Sequence, residues 1–188
     1  MLNFIRTIEI IISFQLILIS TMFSFLISQP TAKNYEHILE IPITLQVPVM
    51  ILISLLFKKQ VVYKALTIYI ILGLFVIPIF THGGSLGYLL TPNFGFLIGF
   101  YPLINIINSL NNNKIYIFQF VKKGLIAISA MHIIGILYNF FQMLYYRQID
   151  LFLNNLGSYS LSKIGYHLLM LIPLSLLIKP INHFKYNK

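Results

Sequence analysis

Long apolar stretches, interrupted by short polar segments, run along almost the whole chain. A helix that crosses a bilayer needs about 20 mostly apolar residues, and several stretches meet or approach that length. They cover residues 8–27, 43–57, 61–80, 88–110, 118–145 and 161–178. The second is short, and the fifth is long enough to tilt within the membrane. The pattern predicts an all-α integral membrane protein, a single bundle of about six transmembrane helices.

Basic residues fall into two unequal groups between these stretches. If the N-terminus lies inside, ten of the 13 Lys and Arg residues fall on the inner side, and Lys33, Arg147 and Lys163 fall on the outer side. Cytoplasmic loops of membrane proteins are rich in Lys and Arg. Both termini are therefore predicted to be cytoplasmic, or stromal if the protein belongs to a plastid.

Composition agrees with a membrane protein. Hydrophobic residues make up 58% of the chain and charged residues 9%, whereas soluble domains carry about 25% charged residues. Cysteine is absent, which excludes disulfides, a thiolate nucleophile and a cysteine-based metal site. The net charge of +9 does not indicate nucleic-acid binding, because the cations are scattered between apolar stretches and not gathered on one soluble face.

The segment FTHGGSLGYLLTPNFGFLIGF at 80–100 interrupts the apolar pattern with glycines, a proline and aromatic residues. Irregular backbone at membrane depth is tolerated only where it is buried in protein or lines a cavity. In the predicted orientation this segment joins the third and fourth spans on the outer side. It is therefore predicted to border a pocket that opens outward.

Several residues of this segment are candidates for ligand contact: Gly83, Gly84, Tyr88, Asn93, Phe94 and Phe96. The glycines let backbone approach a ligand closely, the asparagine can form hydrogen bonds and the rings can form flat apolar walls. His82 is either a hydrogen-bond donor to the ligand or a solvated loop residue. Gly95 and Gly99 form a GxxxG spacing, which favours close helix packing, with ligand contact at Gly95 as the alternative.

Two more polar segments fall on the same outer side. In IPITLQVP, the prolines disfavour a helix interior, so Thr44 and Gln46 either point together into the pocket or cap the second span. In SLSKIGYH, Lys163 and His167 share a helical face. Lys163 either snorkels to water or faces the bundle, where its ammonium can pair with a ligand carboxylate.

A few polar residues lie within the spans. His132 in the fifth span is either a functional residue or a neutral histidine bonded to a neighbouring helix. Ser20 and Ser24 in the first span form a small-xxx-small face, which suits helix packing or partner docking. The chain has no HExxH, P-loop or GxSxG motif, so neither an enzyme nor an ATPase is predicted. No catalytic residue, metal ligand or cofactor site is assigned.

The motif IPITLQ, with IPIFTHGGSLGYLLTPNFGFLIGF further along the chain, resembles the biotin transporter BioY family. The FTHGGSLGYLLTPNFGF version is similar to the cyanobacterial branch. The resemblance covers roughly residues 8–180 and is strongest in spans two to four. It implies six helices around a biotin pocket near the outer face, in the substrate-binding (S) component of an energy-coupling factor transporter. The partners that it implies are a transmembrane coupling (T) component and a pair of ABC ATPases.

The resemblance also implies site residues, on the TLQ motif, the glycine-rich motif and a lysine near the start of span six. The matching positions are Thr44, Gln46, Gly83, Gly84, Tyr88, Gly95 and Lys163. In many members an aspartate precedes that lysine by three residues, whereas this chain has Ser160. The difference removes an acceptor that could bind the ureido N–H groups of biotin.

The first hypothesis is a biotin-capturing S component. Residues 8–180 form its transmembrane substrate-binding domain, and residues 1–7 and 181–188 form short basic tails. Two alternatives stay open: the same scaffold with another small vitamin or precursor as ligand, and a non-transport membrane scaffold or assembly protein. The expected location is a bacterial plasma membrane, or a plastid membrane if the gene is organellar, since the composition resembles that of AT-rich genomes.

Overall fold

The computed structural model describes residues 2–30, 38–80, 83–112 and 114–186, and most of them lie in helices packed into one bundle. The helices are α1 (Leu2–Met22), α2 (Gln46–Leu56), α3 (Lys59–Phe75), α4 (Pro92–Ile98), α5 (Phe100–Asn108), α6 (Ile117–Tyr146), α7 (Ile149–Asn155), α8 (Ser162–Leu169), α9 (Leu171–Leu176) and α10 (Ile178–Tyr186). Turns of 3₁₀ geometry at Leu86–Leu90 and Ser109–Asn112, and a π-helical segment at Leu156–Leu161, lie between them. Each predicted apolar stretch contains a helix, so the predicted all-α bundle is confirmed.

Helices long and apolar enough to cross a membrane span Asn3–Met22, Pro92–Asn111 and Ile117–Tyr146. A fourth is formed if Ile149–Leu176 and Ile178–Lys185, which meet at a bend of 49°, count as one span. With 11 and 17 residues, α2 and α3 are shorter than these. The chain is a multi-pass membrane protein, and its second apolar stretch is short, as the sequence predicts.

A two-stranded antiparallel ladder connects α1 to α2; it pairs β1 (Ser24–Pro30) with β2 (Ile38–Thr44). The hydrophobic pattern does not predict it, because a short apolar run fits a strand as well as the end of a helix. The first helix ends at Met22, before the predicted end of the first span. Ser24 therefore lies in a strand and not on the helical face of Ser20, while a role of the two serines in helix packing or partner docking stays a prediction.

This ladder positions the start of α2. Ser24 pairs with Thr44 where the ladder meets the helices, and the amide of Leu45 donates to the carbonyl of Phe23 at 3.2 Å. Gln46 is the first residue of α2. Thr44 and Gln46 are thus held at a junction between strand and helix, and neither lies in a helix interior.

The fourth predicted span is divided at Gly99 into α4 and α5, both of which pack against α6. A Cβ atom added at Gly99 would lie 2.7 Å from the carbonyl oxygen of Met131. One added at Gly95 would overlap the Tyr138 side chain. The GxxxG spacing thus lets α4 and α5 approach α6 closely, which is the packing interpretation of these two glycines.

At the other end of α2, side chains from α5, from the 3₁₀ turn that follows it and from α10 bind carbonyl groups that the helix leaves free. Nδ2 of Asn108 and Nδ2 of Asn111 each donate to the Ser54 carbonyl at 2.9 Å. The ammonium of Lys185 donates to the Leu55 carbonyl and, at 2.9 Å, to Oδ1 of Asn111. Part of the C-terminal stretch that the sequence assigns to a tail therefore belongs to a packed helix, α10.

Candidate ligand-binding site

A cavity of about 220 Å³ lies where the start of α2 meets α3, α4, α6 and α8. Its polar lining comes from Thr44, Gln46, Asn93, Lys163 and His167. The rest of the lining is aromatic or aliphatic. A small concave site with a few convergent polar groups among apolar walls is the usual form of a small-molecule pocket.

The structure brings together residues from all three polar segments that the sequence singles out. The predicted ligand-contact residues that line the cavity are Thr44, Gln46, Tyr88, Asn93, Phe96 and Lys163. Gly83, Gly84, Phe94 and Gly95 lie nearby without lining it, and His82 lies outside the described residues. The placement of this end of the bundle on the outer side of the membrane stays a prediction.

Buried hydrogen bonds orient the groups at the start of α2. Tyr69 is 1% exposed, and its hydroxyl shares a hydrogen bond of 3.0 Å with Oγ1 of Thr21. The same hydroxyl donates to the carbonyl of Ile79 at 3.4 Å and interacts with the side chain of Gln46. The Gln46 amide, a donor and an acceptor, is thereby tied to α1 and α3 while it borders the cavity.

A series of contacting aromatic rings forms one wall. The ring centroids of Tyr69 and Phe80 lie 5.4 Å apart, and those of Phe80 and Tyr88 lie 4.2 Å apart. Phe94 continues the series, with its centroid 6.5 Å from that of Tyr88 and 5.9 Å from that of Tyr138. Phe94 thus supports the wall from behind, and Tyr88 presents its surface to the cavity.

The glycines at 83 and 84 shape the loop that carries this wall. Gly83 has φ of +99°, a backbone conformation that side chains other than glycine rarely adopt. A Cβ atom at Gly84 would lie 2.5 Å from the carbonyl oxygen of Gly73 and 2.6 Å from Cα of Pro78. The adjacent amide of Ser85 donates to the same Gly73 carbonyl at 3.1 Å. These glycines let the loop fold onto the end of α3.

Lys163 faces the cavity and is partly buried. Its Nζ atom lies 5.2 Å from the centroid of the Tyr159 ring, within the range of a cation–π contact. Among the described residues that line the cavity, none is Asp or Glu. A partly buried ammonium is costly unless it is paired, so this site suits a ligand that supplies an acceptor or a negative charge.

A buried polar chain lies beside Lys163. Nδ1 of His132 and Oγ of Ser160 are 2.9 Å apart, and Nε2 of His132 and Nδ1 of His167 are 3.0 Å apart. His132 and Ser160 are each 2% exposed, and His167 is 6% exposed. His132 is therefore bonded to neighbouring helical segments, as one of the two sequence interpretations has it, and Ser160 points to His132 and does not line the cavity.

Sequence reasoning missed part of the lining: Val47, Tyr69, Leu97, Phe100, Met131, Tyr159 and, as a site residue, His167. Most of these are apolar residues inside apolar stretches, where hydropathy does not separate a cavity wall from a packed core. His167 did carry a signal, because its spacing of four from Lys163 places both on one helical face.

Comparisons with known proteins identify the family and the fold. The model of the BioY family matches residues 5–175, while no curated protein matches the sequence significantly. The fold is similar to that of a crystal structure described as the S-component for biotin from an ECF-type ABC transporter. The TM-score is 0.63 at 16% identity, over 94% of this chain and 92% of that chain. Because the family model spans most of its length, the chain belongs to the BioY family.

Proposed function

We propose that this protein captures biotin as the S component of an energy-coupling factor transporter. The observation that carries the proposal is a cavity, in a chain of the BioY family, whose lining joins the Lys163 ammonium with amide and hydroxyl groups from Gln46, Asn93 and Thr44. The structurally similar protein is described as an S-component for biotin, which supports the same ligand.

The chemistry of biotin matches this lining group by group. The ureido group needs both donors and acceptors, which Thr44, Gln46 and Asn93 supply. The thiophane ring and valerate chain are apolar and suit the aromatic surfaces of Tyr88 and Phe96. The carboxylate suits the ammonium of Lys163. Each polar group of the ligand thus has a partner, as burial in a protein requires.

The size of the cavity favours a small ligand. Its volume of about 220 Å³ lies below the roughly 300–1,000 Å³ of pockets for drug-sized molecules. A lipid or a peptide would need a longer groove, whereas a vitamin of two fused rings and a short chain is of the right scale.

Transport needs partners, because the chain has no Walker motif and so no P-loop ATPase of its own. The transmembrane T component and the pair of ABC ATPases of such a transporter would supply the energy. The charge asymmetry favours cytoplasmic termini, and in that orientation the cavity would face the outside. Biotin would then be captured from outside and released inward when the partners hydrolyse ATP. The chain acts as a binding subunit and not as an enzyme.

The test is equilibrium binding of radiolabelled biotin to the purified protein in lipid nanodiscs. Wild-type protein should bind saturably, and Lys163→Met should weaken binding roughly 10- to 100-fold, since hydrogen bonds to charged groups contribute about 1.5–3 kcal/mol. Lys122→Met is the matched control, because Lys122 is an exposed lysine of α6. Absence of saturable binding by the wild-type protein would contradict the biotin assignment.

A different small vitamin or a biotin precursor is the second candidate. It is favoured because the part of the lining that the structure describes contains no carboxylate and offers only neutral acceptors to the ureido N–H groups. A thermal-shift panel of small vitamins and biotin precursors separates the two candidates. Stabilisation by another compound, with none by biotin, would support the second.

A further inference from the structure

Ser160 differs from other helical serines in the partner of its hydroxyl group. Ser54, Ser162 and Ser175 each donate to a carbonyl three or four residues earlier in the chain. The hydroxyl of Ser160 instead meets Nδ1 of His132 at 2.9 Å, which is the partner that the described residues provide. A buried hydroxyl that donated to nothing would carry an unsatisfied donor, so Ser160 donates and Nδ1 of His132 accepts.

Because Nδ1 of His132 accepts a hydrogen bond, the direction of the bond between His132 and His167 follows. A neutral imidazole carries hydrogen on one ring nitrogen and accepts at the other. His132 therefore carries its hydrogen on Nε2 and donates it to Nδ1 of His167 at 3.0 Å. His167 in turn carries its hydrogen on Nε2. Since its Nδ1 is occupied and the residue lines the cavity, Nε2–H is the group that His167 offers to a ligand.

We propose that His167 is a ligand-binding residue, and that its Nε2–H and the Lys163 ammonium donate together to a ligand oxygen that carries no hydrogen. Ser160 and His132 act as positioning residues that hold His167 in this tautomer. Lys163 and His167 are four residues apart on α8, so their side chains leave the helix on one face. Both groups donate and neither accepts, which selects a carboxylate or a ureido carbonyl and disfavours an N–H group at this position.

This inference deepens the proposed function and relies on it for the identity of the ligand. The hydrogen-bond direction along Ser160, His132 and His167 is independent of that identity. The tautomer of His167 and the identity of the ligand can therefore be tested separately.

Two amide substitutions at His167 form the central test. In His167→Gln the longer side chain places an amide N–H near the original Nε2, whereas in His167→Asn the amide stays near the position of Nδ1. Biotin affinity in nanodiscs should fall roughly 10- to 100-fold in His167→Asn, as expected for a lost hydrogen bond to a charged oxygen. It should be largely retained in His167→Gln. His183→Asn, at an exposed histidine of α10, is the control.

Histidine side-chain nitrogen NMR on isotope-labelled protein reads the tautomers without any ligand. His132 and His167 should both carry hydrogen on Nε2 and have an unprotonated Nδ1. Ser160→Ala removes the hydroxyl donor to Nδ1 of His132, so both tautomers of His132 and His167 should become populated. Biotin affinity should fall roughly 3- to 10-fold, the value of one neutral hydrogen bond. Ser160→Thr, which keeps the hydroxyl, should restore both readouts.

Ligand analogues identify the oxygen. If His167 binds the carboxylate, the penalty of His167→Asn should shrink with biotin amide, whose uncharged carbonyl is a weaker acceptor, and persist in full with iminobiotin, which lacks the ureido oxygen. If His167 binds the ureido carbonyl, the penalty should persist with biotin amide and disappear with iminobiotin. A penalty that is unchanged with both analogues counts against contact with either oxygen and overturns the proposal.

The remaining outcomes are equally decisive. Equal biotin affinity of His167→Asn and wild type, equal losses in the Asn and Gln variants at unchanged thermal stability, or an unprotonated Nε2 at His167 would overturn this inference and leave the proposed function in place. A wild-type protein that binds no biotin overturns the proposed function instead, and the NMR measurement then decides the tautomer of His167 by itself.

Discussion

The Lys185 ammonium donates a hydrogen bond to the carbonyl of Leu55, which lies 130 positions earlier in the chain. Leu55 is in the last turn of α2, whose first residue, Gln46, borders the cavity. The C-terminal helix therefore fixes the end of α2 that is remote from the site. Stability and ligand binding are linked through one short helix.

Replacing Lys185 with methionine should destabilise the protein. The substitution keeps most of the apolar stem but leaves the Leu55 carbonyl and Oδ1 of Asn111 without their donor, at a cost of about 1–3 kcal/mol. The melting temperature in detergent should fall, while Lys179→Met, at an exposed lysine of the same helix, should leave it unchanged. Equal melting temperatures of the two variants would show that this hydrogen bond is not structurally important.

Gly99→Ala should separate α5 from α6. The new Cβ would lie 2.7 Å from the Met131 carbonyl oxygen and 3.0 Å from Met131 Cα, so backbone and not a flexible side-chain end has to move. Overpacking of this kind costs about 1–3 kcal/mol, and we expect a lower melting temperature together with weaker biotin binding, because Met131 lines the cavity.

Gly165→Ala is the matched control for that substitution. Gly165 is also helical, and a Cβ atom there meets nothing within 4 Å, so alanine should be neutral or slightly stabilising through its helix propensity. A Gly99→Ala protein as stable as the Gly165→Ala protein would contradict the close packing of α5 on α6.

Gly84→Ala should weaken ligand binding through the loop. The added methyl group would collide with the Gly73 carbonyl and with Pro78, which pushes the loop away from α3 and moves the ring of Tyr88 in the cavity wall. Gly87→Ala is the comparison, because its Cβ would lie 3.5 Å from Oγ of Ser85, an ordinary contact. Titration with labelled biotin should show a loss of affinity in Gly84→Ala only. A similar loss of affinity in Gly87→Ala would mean that the effect comes from replacing any loop glycine and not from the collision with α3.

Tyr69→Phe should lower both stability and ligand affinity, each by about the value of one neutral hydrogen bond. The ring contacts remain, but the hydroxyl that bonds Thr21 and interacts with Gln46 is lost, which costs about 1 kcal/mol of stability. Gln46 is then free to rotate, and biotin affinity should fall about 3- to 10-fold, the value of one neutral hydrogen bond. Tyr145→Phe, at a tyrosine that is 80% exposed, should affect neither measurement.

How far the sequence predicts the fold depends on the kind of signal. Apolar stretches about as long as a bilayer predict spanning helices because lipid offers no partner for free backbone groups, and each of those stretches contains a helix. The strand ladder after Met22 is not predicted, because its residues continue the apolar pattern and only the pairing of Ser24 with Thr44 makes them a strand.

The candidate site likewise contains residues that the sequence predicts and residues that only the structure reveals. Lys163, Gln46 and Asn93 stand out in the sequence because polar groups inside apolar stretches need a reason, and all three line the cavity. Phe100 and Met131 also line it, but in sequence they resemble any core residue. The role of Ser160 depends on a bond to His132 across 28 positions, and no local pattern in a single sequence reports such a contact.

The length of α2 has a consequence for the path of a ligand. Its 11 residues, at a rise of 1.5 Å each, account for about 16 Å, which is close to half of a hydrocarbon layer of about 30 Å. Lys58 and Lys59 follow directly. If the basic end of α2 lies at the inner membrane surface, as the charge distribution predicts, a molecule held beside Gln46 would lie about halfway across the membrane. The barrier between it and the inner side would then be little thicker than a single short helix.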